Sequence, residues 1–193
     1  MNRWMRPTLL QVYSFFTSMP LIDFVLNYIM YDERIFKDAK VWLISFPLIF
    51  VIGVASWSGH VAIGNAIKKR YPELEQTRIR IIILALLLVP FMSLSVTFIF
   101  LLYDQLGMLG YTFTEADLKA GLVVGFCVNL IFETLFEADY VLGKYKESIE
   151  EKNRMRDLSV QQEFDTLKSQ VNPHFLFNCF NTLSSLIGED RQK

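Results

Sequence analysis

Four long apolar runs constrain this chain more than any other feature of its sequence. They cover residues 9–30, 41–63, 79–103 and 118–142. An α-helix needs about 20 apolar residues to cross a hydrocarbon core, and each run reaches that length. A soluble bundle would need shorter runs with a polar stripe on each, and the third run has almost no polar residues. The pattern therefore predicts an all-α fold in which four transmembrane helices form a bundle.

Basic residues in the short connections predict the orientation of this bundle. The connection between the second and third runs carries Lys68, Lys69, Arg70, Arg78 and Arg80. The connection between the third and fourth runs is mainly acidic. Because basic loops stay in the cytoplasm, both the N-terminus and the chain after residue 142 are predicted to be cytoplasmic. The charged start also suits a signal peptide, but no small-residue cleavage site follows, so we interpret the first run as a membrane helix.

Polar residues inside the apolar runs are candidates for sensing within the membrane, because they are costly in hydrocarbon. Asp23, His60 and Glu133 are the ionisable ones that we single out. His60 lies among small residues, which also suits a plain helix-packing seam. The spacing along the chain does not show whether the three side chains meet.

The composition changes after residue 142. From there to the end, eight Lys or Arg residues balance eight Asp or Glu residues. Residues 143–166 are predicted to form a cytoplasmic helical or coiled-coil linker, although no single heptad register covers them. A single solvated helix is the alternative. The net charge of −1 suggests no direct nucleic-acid partner, and Cys127 and Cys179 have no spacing typical of a metal site.

Residues 167–193 carry the motif with the most chemical content, L-K-S-Q-V-N-P-H-F-L-F-N-C-F-N. Pro173 interrupts a helical pattern and is expected to bend it. His174 follows directly, and Asn178 lies one helical turn later on the same face. An imidazole has a pKa near neutrality and acts as a nucleophile at cellular pH.

This motif resembles the phosphoacceptor box of the LytS-type sensor histidine kinases. The resemblance implies that His174 accepts the γ-phosphate of ATP and that Asn178 orients its imidazole. It further implies a homodimer in a bacterial inner membrane, with both termini cytoplasmic. The phosphate would then pass to an aspartate of a response regulator, often one with a LytTR-type DNA-binding domain.

The family's ATP-binding motifs do not occur in these 193 residues. We therefore expect the sequence to be the sensor and phosphoacceptor part of a longer kinase, truncated before the second phosphoacceptor helix. ATP and Mg²⁺ would be cofactors of that full-length enzyme, while this part alone would bind neither and would be inactive. The alternatives are a non-catalytic membrane dimerisation scaffold, or a small transporter in which the ionisable membrane residues line a path.

Overall fold

The structure, a computed structural model, describes residues 7–170 and 173–190. The described residues form helices and connecting turns, without any strand. The helices are α1 (Leu9–Tyr31), α2 (Arg34–Lys37), α3 (Phe46–Arg70), α4 (Thr77–Gln105), α5 (Glu115–Gln170) and α6 (Pro173–Asp190). A π-helical turn, Val41–Ser45, leads into α3, and 3-10 turns at Leu74–Gln76 and Met108–Gly110 lie on either side of α4.

The predicted all-α fold with four long apolar helices is confirmed. Helix α1, α3 with its π-helical turn, α4 with its 3-10 turn, and α5 are each long and apolar enough to cross a membrane. Their ends extend past the apolar runs. Helix α3 continues through basic residues and ends at Arg70, because the next residue, Tyr71, precedes Pro72 and a residue before a proline disfavours helical backbone. Helix α4 ends before Gly107, whose φ of 54° is left-handed.

The chain divides into two units, Met1–Lys144 and Tyr145–Lys193. In the first unit, α3 packs closely on both α1 and α4. The completely buried side chains include Phe100 and Tyr103 near the end of α4. At the same end of the unit, the Tyr31 hydroxyl donates to the Met108 carbonyl oxygen at 2.9 Å. This bond joins the end of α1 to the connection that follows α4.

Many apolar side chains of the first unit point away from its core. Leu21, Val51, Leu86, Leu94 and Val123 are all more than half exposed. They come from each of the four long helices. Large apolar surfaces of this kind are avoided in water, whereas a bilayer accommodates them. The exposed surface therefore agrees with the hydropathy of the sequence in indicating a membrane protein.

The second unit contains the last part of α5 and the whole of α6. Exposed apolar side chains recur along this part of α5, at Met155, Leu158, Val160, Phe164 and Leu167. The predicted coiled-coil pairing of this segment stays a prediction. Helix α5 ends at Gln170 and α6 begins at Pro173. The residues between them lie outside the described residues, so the bend expected at Pro173 also stays a prediction.

Candidate phosphoacceptor site and membrane cavity

His174 lies in the first turn of α6, directly after Pro173. A proline is well placed at the start of a helix, because the first backbone N–H groups have no partner within the helix. The side chain of His174 is exposed, and so are those of Phe175 and Phe177. The start of α6 thus presents an imidazole beside bulky apolar side chains.

The side chain of Asn178 contacts the imidazole of His174. Asn178 Nδ2 lies 3.1 Å from His174 Nδ1, the distance of a hydrogen bond across one helical turn. An amide offers either its nitrogen or its oxygen to the ring, and the choice selects the tautomer. With the oxygen turned to the ring, Nδ1–H donates to Asn178 and the lone pair of Nε2 is left free for chemistry.

A second polar cluster lies inside the membrane-spanning helices, around Asp23. Asn27 Nδ2 donates to Asp23 Oδ1 at 2.8 Å, and Asn27 Oδ1 accepts from the Ser45 hydroxyl. The Ser45 and Tyr103 hydroxyls are 2.9 Å apart. Ser45 belongs to the π-helical turn before α3, a type of turn found often at functional sites. These buried groups satisfy one another's hydrogen bonds and connect α1, α3 and α4.

His60 forms a third cluster, in the part of the bundle toward the C-terminal end of α3. Its Nδ1 lies 3.0 Å from the Ser56 carbonyl oxygen, which only accepts, so Nδ1 carries a proton. Its Nε2 lies 3.2 Å from Asn129 Nδ2 of α5. The imidazole is therefore satisfied in its neutral form. His60, Asn129 and Glu133 line one cavity between α1, α3, α4 and α5.

A buried ion pair lies near the basic connection between α3 and α4. Arg80 Nη2 lies 2.6 Å from Glu137 Oε1, and the Arg80 side chain is fully buried. Arg80 also donates to the Tyr71 carbonyl oxygen at 2.8 Å, and its guanidinium lies 4.6 Å from the centre of the Tyr140 ring. Lys68 Nζ stands 4.0 Å from the other carboxylate oxygen of Glu137. This cluster ties the connection to α5.

The structure separates one of the three ionisable membrane residues that the sequence singles out from the other two. His60 and Glu133 line the same cavity, whereas Asp23 belongs to the Ser45 cluster and lines a different pocket, with Trp42 and Phe46. Sequence reasoning missed the pairing of Arg80 with Glu137. From its position in the sequence Arg80 is predicted only as a loop charge, although Glu137, a glutamate within the fourth apolar run, is a signal that a cation lies nearby.

Comparison with known protein families gives a match in the part of the chain around His174. Residues 162–193 match the family model described as histidine kinase. This C-terminal segment is similar to sensor histidine kinases of the LytS type. The histidine kinase segment thus includes His174, Asn178 and all the described residues of α6.

Two curated relatives match part of the chain. The chain is 36% identical over 59 residues to the sensor histidine kinase BtsS of Escherichia coli (strain K12), covering 31% of this chain and 9% of BtsS. It is 46% identical over 44 residues to the sensor protein LytS of Streptococcus mutans serotype c, covering 23% of this chain and 7% of LytS. The chain therefore spans less than a tenth of either relative, and most of the membrane region lies outside the alignments. No solved structure matches the chain.

Proposed function

We propose that this chain is the sensor and phosphoacceptor part of a membrane histidine kinase of a two-component system. His174 is the phosphoacceptor, and its phosphoryl group passes on to an aspartate of a response regulator. The observation that carries the proposal is the contact between His174 and Asn178, which lies within the histidine kinase segment. The exposure of the imidazole supports it as well, because a phosphoacceptor must reach a nucleotide bound elsewhere.

In this mechanism Asn178 turns its oxygen toward Nδ1–H and so keeps the Nε2 lone pair free. Nε2 attacks the γ-phosphorus of ATP, an N–P bond forms, and the P–O bond to ADP breaks with its electron pair leaving on ADP. The imidazole becomes positively charged as Nε2 forms this bond, and the Nδ1–H bond to Asn178 stabilises that charge. ATP supplies the phosphoryl group, and both ATP and Mg²⁺ would be bound by the catalytic domain of the kinase, not by α6.

The described apolar surface of the second unit supports a homodimeric kinase. Phe164 and Leu167 near the end of α5 are each more than 60% exposed, as are Phe177 and Phe180 on α6. Side chains of this size gain about 1.5–3 kcal/mol each when fully buried. A second copy of the chain buries them in a helical bundle. In this proposal, the protein spans the inner membrane with both termini in the cytoplasm, where ATP and the response regulator are found.

Transphosphorylation tests the proposal directly. The chain, in nanodiscs, is incubated with γ-labelled ATP and the catalytic domain of its kinase, and protein-bound label is measured before and after acid treatment. We expect acid-labile label on the wild type and none on His174→Gln. Equal labelling of both chains would refute the role of His174. An absence of label on both, with a catalytic domain shown to bind ATP, would favour the scaffold alternative.

A further inference from the structure

A cavity of about 180 Å³ lies between α1, α3, α4 and α5. Phe15 and Met19 of α1, Ile49 of α3, and Met92 and Val96 of α4 contribute its apolar wall. All of these side chains are buried. Helix α5 closes the cavity on the fourth side. None of these residues belongs to the proposed phosphoacceptor motif.

The lining residues indicate an elongated space. Along α3 they run from Ile49 to His60, which corresponds to roughly 16 Å at 1.5 Å per residue. An engineered protein cavity of about 150 Å³ binds benzene. A space of about 180 Å³ therefore accepts a somewhat larger molecule, and its length favours a linear one over a flat ring.

One end of the cavity has hydrogen-bonding groups that the protein does not saturate. Trp57 lines the cavity, and its Nε1 is buried and has no hydrogen-bond partner within residues 7–170 or 173–190. Leaving such a buried donor unpaired is energetically unfavourable. One helical turn further along α3, His60 is already satisfied by Ser56 and Asn129. The Asn129 amide uses its nitrogen for this contact, so its oxygen is directed elsewhere, and Glu133 adds a carboxylate to the same lining.

This end thus combines one N–H donor with two oxygen acceptors. A hydroxyl group matches that set, because it accepts from Trp57 and donates to Asn129 or Glu133. Most of the remaining lining is apolar and suits an aliphatic chain, and its serine hydroxyls, those of Ser18, Ser56 and Ser95, already donate hydrogen bonds within the bundle. We propose that the cavity binds a short linear alcohol, with its hydroxyl near Trp57 and Asn129 and its chain directed toward Ile49. The role of this alcohol as the sensory input rests on the proposed function. The structural link is α5, which lines the cavity and continues to Gln170.

Equilibrium dialysis with labelled 1-octanol tests the site, with the full chain in nanodiscs and empty nanodiscs subtracted for partitioning. We expect one saturable site per chain. Val124→Phe places a ring in the cavity and should abolish saturable binding, whereas the matched change Val123→Phe, on the exposed neighbour, should retain it. Val128→Phe is a second cavity-filling variant, and melting curves show which variants fold.

A further variant tests the placement of the alcohol's hydroxyl group near Trp57. Trp57→Phe keeps a ring but removes the N–H, and should weaken 1-octanol binding about tenfold while leaving 1-chlorooctane binding unchanged. Equal binding by folded Val124→Phe, Val128→Phe and Val123→Phe chains, or no saturable binding at all, would overturn the site. A bilayer lipid held one per chain in the wild type and lost in Val124→Phe would overturn the alcohol in favour of an acyl chain.

The binding test is independent of the phosphoacceptor. A His174→Gln chain should bind 1-octanol as the wild type does, so failure of phosphorylation and failure of binding are separate results. For the sensory role, saturating 1-octanol should change the phosphorylation rate of the wild type and Val123→Phe but not of Val124→Phe. If the wild type binds 1-octanol but the phosphorylation rate changes equally in all three chains, that role would be overturned.

Discussion

The guanidinium of Arg80 in α4 and the carboxylate of Glu137 in α5 form a buried ion pair, with Nη2 and Nε 2.6 Å and 2.7 Å from Oε1. The pair lies beside the connection between α3 and α4, whose carbonyl oxygens accept from the same guanidinium. Removing one partner would leave the other charge buried and unpaired, while the packing around it would remain. The stability of this end of the bundle therefore depends on both residues together.

The first prediction concerns this pair. Arg80→Leu should lower the free energy of unfolding by about 3–5 kcal/mol, because it leaves the Glu137 carboxylate buried without its main cation. Thermal melting of the purified chain in detergent measures the effect. Arg78→Leu makes the same chemical change at an exposed position of the same helix and should melt close to the wild type. Equal losses in both variants would refute a special role for the buried pair.

The second prediction concerns Ser45, whose hydroxyl contacts both Asn27 and Tyr103. Ser45→Ala should destabilise the chain by about 1–3 kcal/mol, because buried polar groups lose their partner. Ser58→Ala is the matched control, since the Ser58 hydroxyl is exposed and donates to the Val54 carbonyl oxygen of its own helix. The prediction fails if chemical unfolding of the two variants gives the same loss.

The third prediction tests the close approach of α5 to α4 at Gly121. A Cβ atom there would lie 2.4 Å from Cε2 of Phe100, whose side chain is completely buried. Gly121→Ala should therefore lower the melting temperature. Gly143→Ala, on the same helix with open space around its Cβ, should leave stability unchanged or raise it by about 0.5–1 kcal/mol. A neutral Gly121→Ala would show that the two helices separate at no cost.

The fourth prediction concerns the hydrogen bond between Asn178 and His174. Asn178→Leu should slow phosphorylation roughly 10- to 100-fold, because the imidazole loses the group that holds its orientation and tautomer. Asn178→Asp keeps an oxygen acceptor for Nδ1–H and should lose less. Asn153→Leu makes the matched change on the exposed part of α5. If Asn178→Leu is labelled at the wild-type rate, Asn178 does not act on the imidazole.

The fifth prediction concerns the orientation in the membrane. In a chain with Cys127→Ser and Cys179→Ser, a new cysteine at Glu75 should be protected from an impermeant maleimide added to spheroplasts, because the basic connection is predicted to be cytoplasmic. A cysteine at Thr112, in the acidic connection after α4, should be labelled from outside. Inverted vesicles should give the opposite pattern. Labelling of Glu75→Cys in intact spheroplasts would reverse the topology.

The helices themselves were predictable from the sequence, because a bilayer favours long uninterrupted apolar runs. In a helix, each backbone polar group is also satisfied within its own segment. The local contact between His174 and Asn178 was equally accessible, since a spacing of four residues places both side chains on one face of any α-helix. The same local rule did not predict where the helices end. Helix α3 passes through Lys68 and Arg70 because basic residues are good helix formers, and only Pro72 stops it.

The pairing between helices was decided by the tertiary structure alone. Asp23, His60 and Glu133 look alike in the sequence, as costly groups in apolar runs. The packing places Asp23 against Asn27 in the Ser45 cluster and the other two at one cavity. Arg80 and Glu137 are separated by 57 residues and still share a hydrogen bond. Apolar side chains determine that helices enter the membrane without determining the rotation of one helix against another. That rotation depends on which glycines admit a neighbour and which buried polar groups find a partner, and both become visible only when the helices are packed together.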